Sequence, residues 1–285
     1  MNKAVFGFSG SIPDKNFIDF IEKAQPYGFI IFEHNFISSK GLKKTIKNLR
    51  SICPKAMFMI DEEGGEKSRL RLEHGFPNPP NPRELPSSMT PLQVREAYRT
   101  LGNALADLGI DINLAPVVDV ASEGHILGGR ALSDNPYICA EYAVAIIEGL
   151  FSAGIKPCAK HFPGLGSADI DPHLGVSFAG KNEDFWLKHF IPYKSVIEAA
   201  IPYIMTTHLV AKKLDPSGKI ATYSSKIINI IREDLGFTGS IISDDLFMGG
   251  AQEYQSLEDR VKKTLDSGHD IVLICKEFEG QTELL

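Results

Sequence analysis

The chain has 285 residues, of which 43% are hydrophobic and 23% are charged, and its formal net charge is -6. This is the composition of an ordinary soluble globular protein, and the acidic balance argues against a nucleic-acid partner, for which a basic face is expected. No apolar stretch approaches the roughly 20 residues that a membrane helix needs, and the N-terminus lacks the pattern of a signal peptide. We therefore expect a cytoplasmic protein that binds neither nucleic acid nor membrane and acts on a small or neutral substrate.

Short strand-like runs alternate with helical patterns along almost the whole chain. The strand-like runs cover residues 5–8, 29–32, 56–60, 112–115, 155–159, 203–206, 240–243 and 270–274. The helical patterns cover residues 15–24, 41–50, 91–108, 137–153, 183–200, 225–235 and 257–267. About eight strands that alternate with helices over this length predict a single-domain (β/α)8 TIM-type barrel spanning residues 1–285, with an open doubly wound sheet as the second choice.

A barrel predicts that polar residues directly after each strand line one pocket, because the active sites of these folds lie at the carboxyl ends of the strands. The proline-rich stretch at residues 64–86 is expected to be an ordered loop on that face, since loops of this length in compact domains are usually functional. Each strand-end residue alone is compatible with a solvated loop position, whereas five strands with such residues indicate a site. These residues are Asp61, Asp119 with Arg130, Lys160 with His161, His208, and Asp244 with Asp245.

The stretch from Lys160 to His173 crosses a loop rich in glycine and proline after the fifth strand. Loops of this kind, held by a rigid scaffold, often carry catalytic groups. Within it, Asp171 and His173 flank Pro172, whose ring fixes the backbone between them. Because histidine titrates near neutral pH, it suits a group that donates a proton and takes one back. We interpret the pair as an acid/base dyad; a loop histidine that only bonds its neighbouring aspartate is the alternative.

Asp244 stands at the mouth of a buried strand, where a carboxylate serves as a nucleophile, a base or a metal ligand. Its neighbour Asp245 points the other way on an extended backbone, so one of the two acids is expected to face the pocket. A carboxylate nucleophile with a separate acid/base group is what retaining glycoside hydrolysis requires. The candidates to bind a polyhydroxylated or anionic ligand are Arg130, Lys160, His161 and His208 as donors and Asp61 as an acceptor.

Seven motifs follow one another along the chain: Ile60-Asp61-Glu62-Glu63-Gly64-Gly65, Ile112-Asn113-Leu114-Ala115-Pro116-Val117-Val118-Asp119-Val120, Gly129-Arg130-Ala131-Leu132-Ser133-Asp134-Asn135-Pro136, Lys160-His161-Phe162-Pro163-Gly164, Asp171-Pro172-His173, Met205-Thr206-Thr207-His208 and Ser243-Asp244-Asp245-Leu246. In this combination and order the chain resembles the family 3 glycoside hydrolases, specifically the bacterial β-N-acetylglucosaminidases of peptidoglycan recycling. The resemblance implies a (β/α) barrel and no metal or other cofactor.

The same resemblance assigns roles to the predicted site residues. It implies that Asp244 is the nucleophile of a retaining exo-β-N-acetylglucosaminidase and that His173 with Asp171 is its acid/base dyad. The residues implied to hold the terminal sugar are Asp61, Arg130, Lys160, His161 and His208. The implied substrate is a small carbohydrate, a muropeptide fragment in which N-acetylglucosamine is linked β-1,4 to anhydro-N-acetylmuramic acid.

The chain departs from the family pattern in four places. Leu165 stands where the family usually has histidine, Glu66 where a basic residue is expected, and Pro172 where a small serine is common. The chain also ends ten residues after Cys275, where relatives continue with a closing helix, so an abbreviated last helix is expected. These changes bear on activity and substrate choice, but none removes a predicted catalytic group.

Two other functions remain open from the sequence. A sugar-binding relative with weakened catalysis is compatible with Leu165 and the short C-terminus. A zinc-dependent amidohydrolase on the same barrel would use Lys160 or His161 with His208 and Asp244 as ligands, although no His-x-His follows the first strand. For the oligomeric state we expect a monomer or a weak homodimer.

Overall fold

Eight parallel strands close into a barrel in the computed structural model, which describes residues 3–70, 75–179 and 183–276. The barrel strands are β1 (Ala4–Phe6), β2 (Gly28–Ile31), β3 (Met57–Ile60), β4 (Ile112–Asn113), β5 (Lys156–Phe162), β7 (Tyr203–Thr206), β9 (Ser240–Asp245) and β10 (Ile271–Ile274). Two short strands, β6 (Ser177–Phe178) and β8 (Leu209–Val210), pair with each other outside the barrel. Pairing of β1 with β10 closes the ring, and the prediction of a (β/α)8 TIM-type barrel is confirmed.

Helices connect the strands and surround the barrel. The described part of the chain contains α1 (Lys15–Ala24), α2 (Ser39–Ile52), α3 (Leu85–Ser88), α4 (Pro91–Leu108), α5 (Pro136–Ser152), α6 (Glu183–Glu198), α7 (Ser225–Asn229) and α8 (Leu257–Asp266). None of these helices is long and apolar enough to cross a membrane.

The ends of α4 show how the local sequence determines where a helix begins and ends. The Thr90 hydroxyl accepts the backbone N–H of Gln93, and the Gln93 side chain accepts the backbone N–H of Thr90, which is a capping box. Pro91 occupies the first turn, where its missing N–H costs no hydrogen bond. The helix ends at Gly109, whose φ of 92° is a left-handed conformation that glycine adopts freely.

Alternation along the strands divides the core into two layers. In β3, Met59 belongs to the cluster inside the barrel, whereas Phe58 and Ile60 pack with the surrounding helices. The inner cluster also contains Ile30, Leu114, Met205 and Leu273, which lie beneath the carboxyl ends of the strands. The barrel interior is therefore filled, and it forms a floor on which a site can be built.

Among the differences between predicted and observed elements, three concern β5, the helix predicted at 225–235 and two short strands. β5 runs on to Phe162 because Lys160 and Phe162 pair with β7, so Lys160 and His161 lie within the strand end rather than after it. The predicted helix at 225–235 is α-helical only as far as Asn229 and continues as a π-helical turn, Ile230–Asp234. Strands β6 and β8 were not predicted, since two residues are too few to show an alternating pattern. The expected abbreviated last helix falls on residues 277–285, outside the described part of the chain.

Candidate active site

A cavity of about 140 Å³ opens at the carboxyl ends of the barrel strands. Its floor contains side chains of the inner core cluster, and its walls carry charged and histidine side chains. Seven of the eight predicted site residues line it: Asp61, Arg130, Lys160, His161, Asp171, His173 and Asp244. These residues belong to β5 and β9 or to segments that follow β3, β4 and β5, so closure of the barrel brings them together.

Buried charges on one side of this cavity form a network of two acids and two cations. Lys160 contacts Asp61, and its Nζ lies 2.6 Å from Oε1 of Glu63. Arg130 donates to both carboxylate oxygens of Glu63, over 2.7 and 2.8 Å. Burial acts to raise the pKa of Glu63, but the two cations outweigh it and hold that pKa well below its ordinary value. Glu63 is therefore ionised at neutral pH and fixes both cations at the cavity wall.

Lys160 remains charged although its side chain is almost fully buried. Burial acts to lower the pKa of its ammonium group, but the attraction of Asp61 and Glu63 outweighs burial and raises the pKa instead. An ammonium group held in this way is a fixed donor, and the neighbouring Asp61 carboxylate is an acceptor. Together they suit adjacent hydroxyl groups of a sugar.

His161 is held by a buried carboxylate beneath it. Its Nδ1 lies 2.7 Å from Oδ2 of Asp119, and its Nε2 lies 3.3 Å from Nη2 of Arg130. Because the guanidinium group only donates and the carboxylate only accepts, Nε2 faces a donor and Nδ1 faces an acceptor. Burial acts to raise the pKa of Asp119, but its hydrogen bond from His161 outweighs burial and the pKa lies below its ordinary value.

Asp171 and His173 form a hydrogen-bonded pair on the loop after β5. Oδ1 of Asp171 accepts the backbone N–H of His173 over 2.9 Å and lies 2.7 Å from its Nδ1. Burial acts to raise the pKa of Asp171, but these two bonds outweigh it and the pKa lies below its ordinary value. Since Nδ1 faces the carboxylate, Nε2 is the nitrogen that can exchange a proton with a ligand.

The loop that carries Asp171 and His173 packs against the segment that follows β9. The backbone N–H of Gly250 donates to the carbonyl oxygen of Pro172 over 2.7 Å. A Cβ on Gly249 would lie 2.8 Å from the carbonyl oxygen of His173, so the loop and this segment approach closely only because residue 249 has no side chain. The contact places the dyad beside the strand end that carries Asp244.

Asp244 and Asp245 both border the cavity, but their carboxyl groups have different surroundings. Oδ1 of Asp245 accepts the backbone N–H groups of Phe247 and Cys275, over 3.1 and 2.9 Å, and thereby ties the end of β9 to the end of β10. Burial raises the pKa of Asp245 to about 6. Asp244 accepts only the N–H of Asp245 among the described residues. Both residues border the cavity, but the carboxyl group of Asp245 is engaged by the backbone and that of Asp244 is the one available to a ligand.

Sequence reasoning missed two residues of the site, Glu63 and Arg69, and named Asp119 as a strand-end residue without giving it a role. Glu63 stands at a strand end within a quoted motif, and the same positional signal that selected Asp61 could have selected it. Arg69 lies in the unpatterned stretch at 64–86, where no such signal exists. Its Nη2 lies 3.1 Å from Oδ2 of Asp61, and its side chain lines the cavity.

A buried carboxylate holds Arg69 in place. Oε2 of Glu62 accepts the backbone N–H groups of Arg69 and Leu70, over 2.8 and 2.9 Å. Glu62 is fully buried, and burial raises its pKa to about 7. Because Glu62 is flanked by Asp61 and Glu63 on an extended segment, its side chain points away from theirs, toward the loop.

The structure does not bring His208 to the cavity. Its ring is fully buried, with Nδ1 2.8 Å from the Thr222 hydroxyl and Nε2 2.8 Å from the carbonyl oxygen of Asp245. Both nitrogens are thus occupied within the protein. The zinc alternative needs His208 and Asp244 at one point, and the described residues contain no group of three histidine, cysteine or acidic side chains arranged to hold a metal.

Comparisons with known proteins agree with this geometry. The sequence model of the Glycosyl hydrolase family 3 N terminal domain matches residues 13–284. The chain is 33% identical over 268 residues to the β-hexosaminidase of Nitrosomonas eutropha, covering 90% of this chain and 76% of that protein.

Solved structures give the same result. A family 3 β-N-acetylglucosaminidase from Paenibacillus sp. matches with a TM-score of 0.91 at 24% identity, and the chain spans about half of its length, with coverages of 96% and 53%. NagZ from Neisseria gonorrhoeae, solved in complex with N-trifluoroacetyl-D-glucosamine, matches with a TM-score of 0.87 at 26% identity, covering 96% of this chain and 81% of that one. With its barrel, its strand-end charges and these matches, the chain belongs to glycoside hydrolase family 3 and is a glycoside hydrolase.

Proposed function

We propose that the chain is a retaining exo-β-N-acetylglucosaminidase that removes terminal β-linked N-acetylglucosamine from muropeptide fragments in the cytoplasm, as a single-domain enzyme without a metal. The observation that carries this proposal is that the Asp171–His173 pair and Asp244 line one cavity. The names of the matched relatives support the hydrolase class and the N-acetylhexosamine substrate.

In the first step, a carboxylate oxygen of Asp244 attacks the anomeric carbon. Nε2 of protonated His173 donates its proton to the glycosidic oxygen as the bond between that oxygen and the anomeric carbon breaks. The leaving sugar departs as a neutral alcohol, and the glycosyl group is held as an ester of Asp244. Asp171 orients the ring of His173, because its carboxylate lies 2.7 Å from Nδ1 and leaves Nε2 free for the glycosidic oxygen.

In the second step, His173 acts as the base. Its neutral Nε2 takes a proton from water, the water oxygen bonds to the anomeric carbon, and the ester bond to Asp244 breaks. Asp244 regains its negative charge and His173 its proton. Two displacements at one carbon give net retention of the β configuration.

The fixed charges of the cavity hold the sugar for these steps. Lys160 and Arg130 donate to its hydroxyl or carbonyl oxygens, Asp61 accepts from a hydroxyl group, and His161 adds an imidazole ring held by Asp119. Since all are immobilised by buried partners, they require little reorganisation when the sugar binds. His208 does not contact the sugar and supports the site indirectly, through its contact with the backbone of Asp245.

The first test is release of nitrophenol from 4-nitrophenyl N-acetyl-β-glucosaminide, with and without a chelator. We expect release by the wild type that the chelator does not change, and none by Asp244→Ala with unchanged circular dichroism. Slow turnover by His173→Ala should accumulate a glycosylated Asp244, which mass spectrometry of the denatured protein detects. Wild-type protein that binds N-acetylglucosamine but releases no nitrophenol would instead support the sugar-binding alternative.

A further inference from the structure

The loop that carries the dyad is closed at its base by the carboxylate of Asp169. Oδ1 of Asp169 accepts the backbone N–H of Phe178 over 2.8 Å and the hydroxyl of Ser177 over 3.1 Å. The backbone N–H of Asp169 donates in turn to the carbonyl oxygen of Phe178 over 3.2 Å. Residues 170–176 therefore leave and rejoin the rest of the fold at one point, and both members of the dyad lie between the two ends of the loop.

The far end of the loop is fixed to protein outside it. Phe178 lies in β6, which pairs in parallel with β8, so that Phe178 is opposite Val210. The next residue, Ala179, forms an antiparallel bridge with Ala168, and its backbone N–H donates to the carbonyl oxygen of Val210 over 3.0 Å. Because this end is anchored in a sheet, the two bonds to Asp169 tie the start of the loop to a fixed point.

The dyad depends on the course of this loop for its position. The side chains of Asp171 and His173 are partly exposed, and among the described residues they form hydrogen bonds only within the loop. The bond from Gly250 to Pro172 holds the tip of the loop against the segment that follows β9. A shift of the base would therefore move Nε2 of His173 relative to Asp244, since the ring is bonded to the loop rather than to the barrel.

We propose that Asp169 is a positioning residue: by closing the base of the loop, it places Nε2 of His173 within reach of the glycosidic oxygen. Asp169 does not border the active-site cavity, so it acts through the loop rather than on the sugar. The hydrogen bond from the backbone of Phe178 holds the pKa of Asp169 below its ordinary value, so the carboxylate is ionised at neutral pH and is a strong acceptor. This inference rests on the proposed function, to which it adds a residue outside the dyad and the sugar-binding groups.

The test measures kcat/KM on a β-1,4-linked N-acetylglucosamine disaccharide and on 4-nitrophenyl N-acetyl-β-glucosaminide, whose leaving group departs without a proton. We expect Asp169→Ala to lower the value for the disaccharide about 10- to 100-fold, the scale for misplacing a catalytic group by about 1 Å. The value for the aryl glycoside and the affinity for free N-acetylglucosamine should change little, because Asp61 and Lys160 are held by other partners. Asp169→Asn keeps an acceptor oxygen for both bonds and should retain most of the wild-type activity.

A double-mutant cycle separates positioning from a general loss of stability. In a His173→Ala background, Asp169→Ala should cause no further loss on the disaccharide, because it acts through a ring that is already absent. Asp14 supplies a matched control, since it is an exposed acid at the start of α1 whose Oδ1 also accepts a backbone N–H over 2.8 Å. Asp14→Ala removes the same charge and a similar bond, and it should leave the ratio of the two kcat/KM values unchanged.

The proposal is overturned by an equal loss on both substrates, by the same loss in Asp14→Ala, or by an undiminished loss in the His173→Ala background. A folded Asp169→Ala protein with the wild-type kcat/KM on the disaccharide overturns it as well. If circular dichroism shows that Asp169→Ala does not fold, Ser177→Ala, which removes one of the two bonds, takes its place in the cycle with a smaller expected loss. A wild-type protein that turns over neither substrate contradicts the proposed function instead.

Discussion

Replacing Asp171 by asparagine removes the charge of the dyad while keeping its hydrogen bonds. The asparagine carbonyl oxygen can still accept the backbone N–H and the Nδ1–H of His173, which Oδ1 of Asp171 now accepts over 2.9 and 2.7 Å. The imidazole ring therefore keeps its orientation. What changes is the electrostatic support for its protonated form.

The size of the effect follows from the exposure of the two side chains. Two unit charges about 4 Å apart interact by about 1 kcal/mol in water and by about 4 kcal/mol at an effective dielectric constant of about 20. The side chains of Asp171 and His173 are 45% and 65% exposed, so the interaction energy is close to the value in water. A loss of about 1 kcal/mol is a rate loss of about fivefold.

The assay is kcat/KM on a substrate with a sugar leaving group and on one with a 4-nitrophenyl leaving group. We expect the fivefold loss on the disaccharide, which needs a proton at the departing oxygen, and little loss on the aryl glycoside. Asp171→Ala, which also removes the acceptor, should lose more. An equal loss on both substrates would refute the assignment of the dyad.

Two predictions concern the acids that hold the site. Glu63→Gln should destabilise the fold by about 3–5 kcal/mol in urea unfolding, because it leaves buried Lys160 and Arg130 short of a counter-charge; a loss under about 1 kcal/mol would contradict this. Glu62→Gln should stabilise the protein more at pH 8 than at pH 5. Burial raises the folded-state pKa of Glu62 from 4.5 to about 7, so the wild type loses up to about 3 kcal/mol as the pH rises through that window, whereas glutamine does not titrate. The same difference in unfolding free energy between wild type and Glu62→Gln at pH 5 and at pH 8 would contradict the raised pKa of Glu62.

The sequence was sufficient to predict those features that depend on local pattern and on the order of the elements. Alternation of strands with helices predicts the barrel, and the barrel predicts that strand-end side chains share a pocket. Asp61, Lys160 and Asp244 were selected in this way, and all three line the cavity. The two-residue spacing of Asp171 and His173 was also sufficient, since their hydrogen bonds are local.

The same positional rule selected His208, which the structure buries behind the cavity wall. A strand-end position does not specify the direction of the side chain, which depends on how the following segments pack. Here Thr222 and the backbone of Asp245 occupy both ring nitrogens. Arg69 shows the opposite case, because it reaches the cavity from an unpatterned loop whose backbone is bound by the side chain of Glu62, seven residues earlier.

The elements, the positions of the polar strand ends and the Asp171–His173 pair follow from the amino-acid sequence, because they depend on near neighbours in the chain. Which charges pair and which remain open to a ligand depends on the packing of distant segments. Lys160 meets Asp61 across 99 positions of sequence, while Lys67 meets no acid among the described residues. The pairing of these charges depends on which strand ends become adjacent when the barrel closes. The periodicity of a single segment contains no information about that adjacency.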